Sequence, residues 1–274
     1  MRYYAVFGNP IEHSLSPLIH SYFAKEAKLD LTYDKILVND KFEDSAKLFF
    51  KKGQGCNITV PFKQDAYKFA NTLSDRAKLS GAVNTLKKLD DGTYLGDNTD
   101  GAGLCLDFKL KDITLSNKKI LIIGSGGATR GIIGPLFDCG VESITLVSRT
   151  FYKTKELVDA MPFDKLYASD FDSLNSSTST FDIVINASSS SLHNELPKIN
   201  DTILSKAYCV YDLMYSHDGS TIFTKKAKSL GVAHAFDGLG MLICQAALAF
   251  KLWTCVDANI SGAYNYLQEY LNKR

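Results

Sequence analysis

Short apolar runs, each closed by glycine, proline or polar residues, alternate along the chain with stretches of helical spacing. Tyr3-Tyr4-Ala5-Val6-Phe7 is the first, ending at Gly8-Asn9-Pro10. A helix is predicted from about Ser16-Pro17, with Ser16 as N-cap and Pro17 in the first turn, to about Lys28. The pattern predicts strands over 33–38 and 56–60, and helices over 42–52 and from Pro61 to about Ala70. A hairpin over 83–89 and 93–96 turns at Asp90-Asp91-Gly92. Such alternation implies a mostly parallel, twisted sheet and an α/β fold.

The second half repeats the alternation. Strands are predicted at 119–123, 143–148, 165–168, 181–186, 208–213 and 232–235, with helices between several of them, the first closing at Gly140. The run 175–180, Asn-Ser-Ser-Thr-Ser-Thr, reads as a polar surface loop. After Asp237-Gly238 come two helices, about 239–254 and 257–271, expected to return to the front domain. The chain thus divides into residues 1–101 with about 239–274, and residues 102–238.

The strand at 119–123 runs into Gly124-Ser125-Gly126-Gly127-Ala128-Thr129-Arg130. In a dinucleotide fold the first glycine of such a turn makes the bend and the second lets backbone approach the pyrophosphate. The helix start behind them supplies N–H donors and the positive dipole end. A NAD site usually ends its second strand with a carboxylate for the ribose 2′-hydroxyl. Here that strand ends in Ser148-Arg149-Thr150, with Lys153 one turn on, and Glu142 precedes the strand. A guanidinium, a hydroxyl and an ammonium suit a 2′-phosphate, so the second domain reads as a Rossmann domain for NADP.

Composition narrows the classes. The 274 residues are 45% apolar and 22% charged, with net charge +1. That balance offers no bulk attraction to nucleic acid or membrane. Cys56, Cys105, Cys139, Cys209, Cys244 and Cys255 are scattered without metal spacing, which reads as reduced thiols in a cytoplasmic protein. Met1-Arg2-Tyr3-Tyr4 leads straight into a strand, so no signal peptide is expected. The apolar stretch 240–256 carries Gln245 and Lys251 and reads as a buried helix. His13 reads as structural or peripheral; His193, His217 and His234 sit in no ligand spacing, and no metal is expected.

Four front-domain segments hold uncharged polar residues at strand ends: 8–17, 57–63, 81–85 and 96–101. Ligands of open α/β sheets bind at strand C-terminal ends. Hydroxyls and amides there both donate and accept, which suits a small polyhydroxylated substrate. Lys63 lies in the first turn of a helix, where the dipole disfavours a cation, so its placement points to function. Asp100 opens the next helix, where a carboxylate is favoured.

These residues resemble the shikimate dehydrogenase family. The likeness is carried by Gly8-Asn9-Pro10-Ile11-Glu12-His13-Ser14-Leu15-Ser16-Pro17, Asn57 to Lys63, Gly81 to Thr85, Gly96 to Gly103, and Asp237-Gly238-Leu239-Gly240-Met241-Leu242 with Gln245. It implies reversible reduction of 3-dehydroshikimate to shikimate by NADPH, on the route to aromatic amino acids. By resemblance Lys63 and Asp100 form the catalytic pair, and Ser14 and Ser16 hold the substrate carboxylate. Asn57, Thr59, Asn84, Asp100 and Gln245 bind substrate, and Tyr215 closes over it. Gly124, Gly126, Gly127, Ala128, Thr129, Arg130, Ser148, Arg149, Thr150, Lys153, Asn186, Ser188, Leu213 and Gly238 line the cofactor. Ser148 and Lys153 stand where the family commonly has asparagine and arginine, and Ser188 to Ser191 replace a Thr-Ser-Ser-Gly type of loop. The partners implied are the small-molecule substrate and NADP(H), with no nucleic acid and no membrane, in a monomer or homodimer. Two other readings are a relative that also takes quinate, with NAD, and a dinucleotide sensor without catalysis. An intact Lys63 and Asp100 weigh against the sensor, which needs no proton donor.

Overall fold

The computed structural model describes residues 1–216 and 218–273. His217, read above as structural or surface, lies outside the described residues. The chain forms two compact units, one of Met1–Gly103 with Leu242–Tyr270 and one built on Leu104–Met241.

The first unit holds strands β1 (Arg2–Gly8), β2 (Leu31–Leu37), β3 (Gly55–Ile58), β4 (Thr72–Leu73), β5 (Thr85–Lys88) and β6 (Tyr94–Asp97). Helices α1 (Ser16–Glu26), α2 (Phe42–Phe49), α3 (Lys63–Phe69) and α4 (Asp75–Ser80) lie between them, and α5 (Asp100–Leu110) follows. The sheet order is β2-β1-β3-β5-β6-β4. β1 pairs in parallel with β2 and β3, and β4 with β6, while β5 runs antiparallel to both neighbours. That reversal sets the site. The start of β5 lies beside the ends of β3 and β6, with Thr85 paired to Asn57 on one side and Asp97 on the other.

The core of this unit contains Phe7, Phe50 and Leu86, each under 3% exposed. Burying such a side chain fully stabilises the fold by about 1.5–3 kcal/mol. A second cluster joins Tyr4, Val6 and Tyr33 to Ala249 and Trp253, from the late helix of this unit. Trp253 stacks on Tyr4 at 4.7 Å and donates its indole N–H to Leu86 O at 3.0 Å.

The second unit is a parallel six-stranded sheet in the order β12-β11-β10-β7-β8-β9. Its strands are β7 (Lys119–Ile123), β8 (Ser143–Val147), β9 (Leu166–Ser169), β10 (Ile183–Asn186), β11 (Cys209–Asp212) and β12 (His234–Phe236). Helices α6 (Gly127–Asp138), α7 (Phe151–Asp159), α8 (Phe171–Ser176), α9 (Asp201–Ser205) and α10 (Ile222–Ser229) connect them. The chain ends with α11 (Leu239–Thr254) and α12 (Ile260–Asn272). Ile120, Ile122, Ile183 and Ile185 are fully buried, as expected of strands covered on both faces.

Three local expectations need correction. Leu15, not Ser16, is the N-cap of α1, and no side chain caps there. Pro17 has no N–H to be capped, and the hydroxyl that acts is Ser14 Oγ, which accepts the Ser16 N–H at 3.3 Å. The polar run at 175–180 is not loop throughout, because α8 extends to Ser176 from a cap on Asp170, whose carboxylate accepts the Ser173 N–H at 2.8 Å. The last helix starts at Ile260, later than expected, with Asn259 Oδ1 accepting the Gly262 N–H at 3.0 Å.

Candidate functional site

Lys63 is the first residue of α3 and Asp100 the first of α5. Lys63 Nζ donates to Asp100 Oδ2 at 2.6 Å, with side-chain exposures of 21% and 11%, so the pair is sheltered yet reachable. Asn84, just before β5, donates from Nδ2 to Asp100 Oδ1 at 2.7 Å and to Thr99 Oγ1 at 3.0 Å. The Thr99 N–H donates to Asn84 Oδ1 at 2.8 Å, and the Asp100 N–H to Asn98 Oδ1 at 3.2 Å. Gln245 Oε1 accepts from Asn84 Nδ2 at 3.4 Å. Each carboxylate oxygen of Asp100 thus holds one protein donor and retains capacity for a substrate hydroxyl.

Asp97 fixes the strand end from which this run departs. Arg76 grips its carboxylate with two nitrogens, Nε at 2.7 Å, and the Asn98 N–H donates to it at 2.8 Å. Burial alone would raise the Asp97 carboxyl, but the Arg76 guanidinium and the Ser74 hydroxyl bring it below the usual carboxylate range. Ser14 lies half-buried in the loop before α1, and Ser16 is buried in its first turn. The free N–H groups of a helix start attract a carboxylate. Thr59 is half-buried just past the end of β3, and its N–H donates to Phe7 O at 2.9 Å. Asn57, expected at the substrate, is 5% exposed and directs its amide to Tyr33, Asn84 and Thr85.

In the second unit the residues of the glycine turn fit a pyrophosphate. Gly124 has φ +125°, and a Cβ there would lie 3.0 Å from the Ala187 carbonyl carbon. A Cβ on Gly126 or Gly127 would meet nothing within 4 Å, so the space in front of the α6 N-terminus is open. The N–H groups of Gly127, Ala128 and Thr129, in the first turn of α6, have no intrahelical acceptor. The Thr129 side chain is fully buried with its hydroxyl unpartnered, so only its backbone can serve a phosphate. At the end of β8, Arg149, Thr150 and Lys153 are exposed. Ser148 shapes that corner instead of facing outward, through Ser125 Oγ at 3.1 Å and Thr154 Oγ1 at 2.7 Å. Glu142 sits at the opposite end of β8, 3.6 Å from Lys119 Nζ. The donor set at this corner is cationic and hydroxylic, which suits a 2′-phosphate.

The serine loop after β10 is organised by a buried carboxylate that sequence reasoning missed. Asp212 is 0% exposed and accepts from Thr221 Oγ1 at 2.6 Å, Asn186 Nδ2 at 3.2 Å and the Met214 N–H at 3.1 Å, besides the Ser191 hydroxyl. Burial raises its carboxyl against these donors. Asn186 is fully buried, and its Oδ1 takes the Ser188 hydroxyl at 2.6 Å. Asn186 therefore shapes the loop rather than meeting a ligand. Leu213 packs into the core, and its carbonyl oxygen would lie 2.1 Å from a Cβ on Gly238, so these two meet backbone to backbone. Tyr215 lines a cavity of about 340 Å³ with Ser191, Ser216 and Lys225. Burial, with the Asp237 charge, raises its phenol. Among the described residues no three His, Cys, Asp or Glu side chains gather to hold a metal ion.

Three family models match the chain. They are the shikimate dehydrogenase substrate binding domain over residues 6–86, shikimate / quinate 5-dehydrogenase over 108–200, and the shikimate 5′-dehydrogenase C-terminal domain over 238–262. A protein of Vibrio campbellii named shikimate dehydrogenase (NADP(+)) is 49% identical over 253 residues, 91% of this chain and 90% of its own. One of Cellvibrio japonicus with the same name is 44% identical over 274 residues, 99% of this chain and 98% of its own. The crystal structure of shikimate 5-dehydrogenase from Thermus thermophilus, in complex with NADP(H) and shikimate, superposes with a TM-score of 0.88 at 28% identity. It covers 98% of this chain and 99% of that one.

Proposed function

The chain belongs to the shikimate dehydrogenase family, and on that premise we propose that Lys63 and Asp100 carry its proton transfer. The activity is the NADP-dependent interconversion of 3-dehydroshikimate and shikimate. The observation that carries the proposal is the 2.6 Å contact between the two side chains at the mouth of the strand ends. Reduction of a ketone gathers negative charge on its oxygen. An ammonium beside that oxygen stabilises the charge and gives up a proton, and takes one back in the reverse direction. Asp100 keeps the Lys63 ammonium in place and accepts a bond from a ring hydroxyl. Thr59, Asn84 and Gln245 complete the ring contacts, while Ser14 and Ser16 bind the carboxylate at the start of α1. Tyr215 closes over the ring. NADPH, when bound, supplies the hydride. The α6 N-terminus and the Gly124–Arg130 turn hold its pyrophosphate, and Arg149, Thr150 and Lys153 its 2′-phosphate. In this reading residues 1–101 with about 239–274 serve the substrate, and residues 102–238 the cofactor. None of the six cysteines is in a disulfide, which fits a reducing cytoplasm. No step calls on a second subunit, so a monomer or homodimer serves equally.

The test is shikimate-dependent reduction of NADP⁺ or NAD⁺, followed by absorbance. Lys63→Ala is expected to lower kcat by about 10²–10⁴-fold with a smaller change in KM. A kcat preserved within a few-fold would remove Lys63 as proton donor. Because one matching model covers quinate as well as shikimate, quinate belongs in the same assay as a second substrate.

A further inference from the structure

We propose that Tyr33, Asn57 and Thr85 form a one-way hydrogen-bond chain that positions Asn84 against Asp100, making them positioning residues for the proton-transfer pair. The proposal rests on the reading of Lys63 and Asp100 above.

Chemistry dictates the direction of every link. Asn84 O can only accept, so the Asn57 side-chain atom 3.3 Å from it is the amide nitrogen. The Asn57 oxygen then faces Tyr33 Oη at 2.7 Å, and Tyr33 must donate. Asn57 Nδ2 gives its other hydrogen to Thr85 Oγ1 at 3.0 Å. Thr85 is thereby free to send its own hydrogen on, to Asn84 Oδ1 at 2.8 Å. The Asn84 amide is pinned by the Thr99 N–H, a donor at 2.8 Å from the same oxygen. Its nitrogen therefore faces Asp100 Oδ1 at 2.7 Å. Four donors in series point head to tail at one carboxylate, the arrangement in which each bond polarises the next.

The surroundings keep the chain in this state. Tyr33, Asn57, Asn84 and Thr85 are each 5% exposed or less, so water does not compete. His20 lies flat on Tyr33, with ring centroids 4.2 Å apart and planes 6° apart, and neither of its ring nitrogens has a hydrogen-bond partner. Burial holds its imidazole neutral, with its pKa down at about 3, and holds the Tyr33 phenol protonated, well above its ordinary value. A sheltered phenol that keeps its proton is a fixed donor.

Thr85→Val is the cleanest probe. It keeps the shape, and Asn57 Nδ2 retains Asn84 O while Asn84 Oδ1 retains the Thr99 N–H, so neither amide is orphaned. In the full chain, Thr85→Val is expected to lower kcat for shikimate oxidation by about ten-fold, with KM for shikimate and NADP⁺ within about two-fold. Thr85→Ser, which restores the hydroxyl, should recover kcat to within about two-fold of the parent. Tyr33→Phe, which removes one oxygen, should lower kcat by about three- to five-fold, again without a matching rise in KM. If circular dichroism finds Thr85→Val unfolded, Tyr33→Phe decides alone. An unchanged kcat in the deciding variant, a fall matched by KM, or a serine variant as impaired as valine would overturn the chain. A parent protein inactive on shikimate, or a fully active Lys63→Ala, would instead overturn the reading beneath it.

Discussion

His20 shows how far burial alone can set a charge. Its imidazole is fully buried with both nitrogens unpartnered, and its pKa is lowered from 6.5 to about 3. The unfolded chain takes up this proton as pH falls below 6.5, while the folded protein does not until about 3. Stability is therefore complete above the unfolded value and is lost as pH falls toward the folded one. Between pH 7 and pH 5 the loss from this residue is about 2 kcal/mol. Urea unfolding of the parent and of His20→Phe at both pH values is the check, and parallel losses in the two would reject it. Single residues were unevenly legible. Lys63 and Asp100 stood out because they are ionisable groups among uncharged polar residues at strand ends, Lys63 as a cation in the first turn of a helix where the dipole disfavours one. Tyr33 did not, because a tyrosine in a strand looks like packing until its hydroxyl is found on Asn57. Asn57 drew the eye as an amide in a polar segment, but only the antiparallel entry of β5 turns that amide toward Thr85.

At the scale of elements, the glycine turn carries the sharpest expectation. The φ of +125° at Gly124 leaves a side chain strained, and the Ala187 carbonyl blocks it at 3.0 Å. Gly124→Ala is expected to cost about 2–3 kcal/mol of stability and to weaken NADPH binding together with it. A thermal melt with an NADPH titration tests both, and an alanine variant with unaltered melting would show that the turn tolerates a Cβ. Apolar strands bounded by turn residues and long helices were legible, and the shortest helices were not. β7, with its four fully apolar residues, and α11 followed from the pattern. The two six-residue helices α4 and α8 did not, being too short to show a period. Their caps were in view: Ser74 accepts the Ala77 N–H, Gly81 closes α4 at φ +63°, and Asp170 opens α8. Missing α4 meant missing Arg76, and with it the reason Asp97 can be a buried carboxylate.

At the scale of the whole chain, the first unit is finished only by its return near the C-terminus. Ala249 and Trp253 fill a cluster that residues from β1 and β2 leave open. The apolar stretch announced a buried helix returning to the front domain, and Leu242–Tyr270 group with Met1–Gly103; which side chains it meets there could not be read from spacing, since helical period does not say which part of a sheet a face will cover. That late closure has an optical consequence. The chain contains a single tryptophan, Trp253, 7% exposed in the first unit. Excited at the red edge of its absorption, the protein emits from that one indole, a built-in reporter seated in the first unit. Far-ultraviolet ellipticity, by contrast, weighs both sheets. Because α5 and α11 each contribute residues to both units, melting either one frays a helix of the other. Emission and ellipticity are therefore expected to change at one temperature, and two separated midpoints would mean that the units come apart as independent blocks.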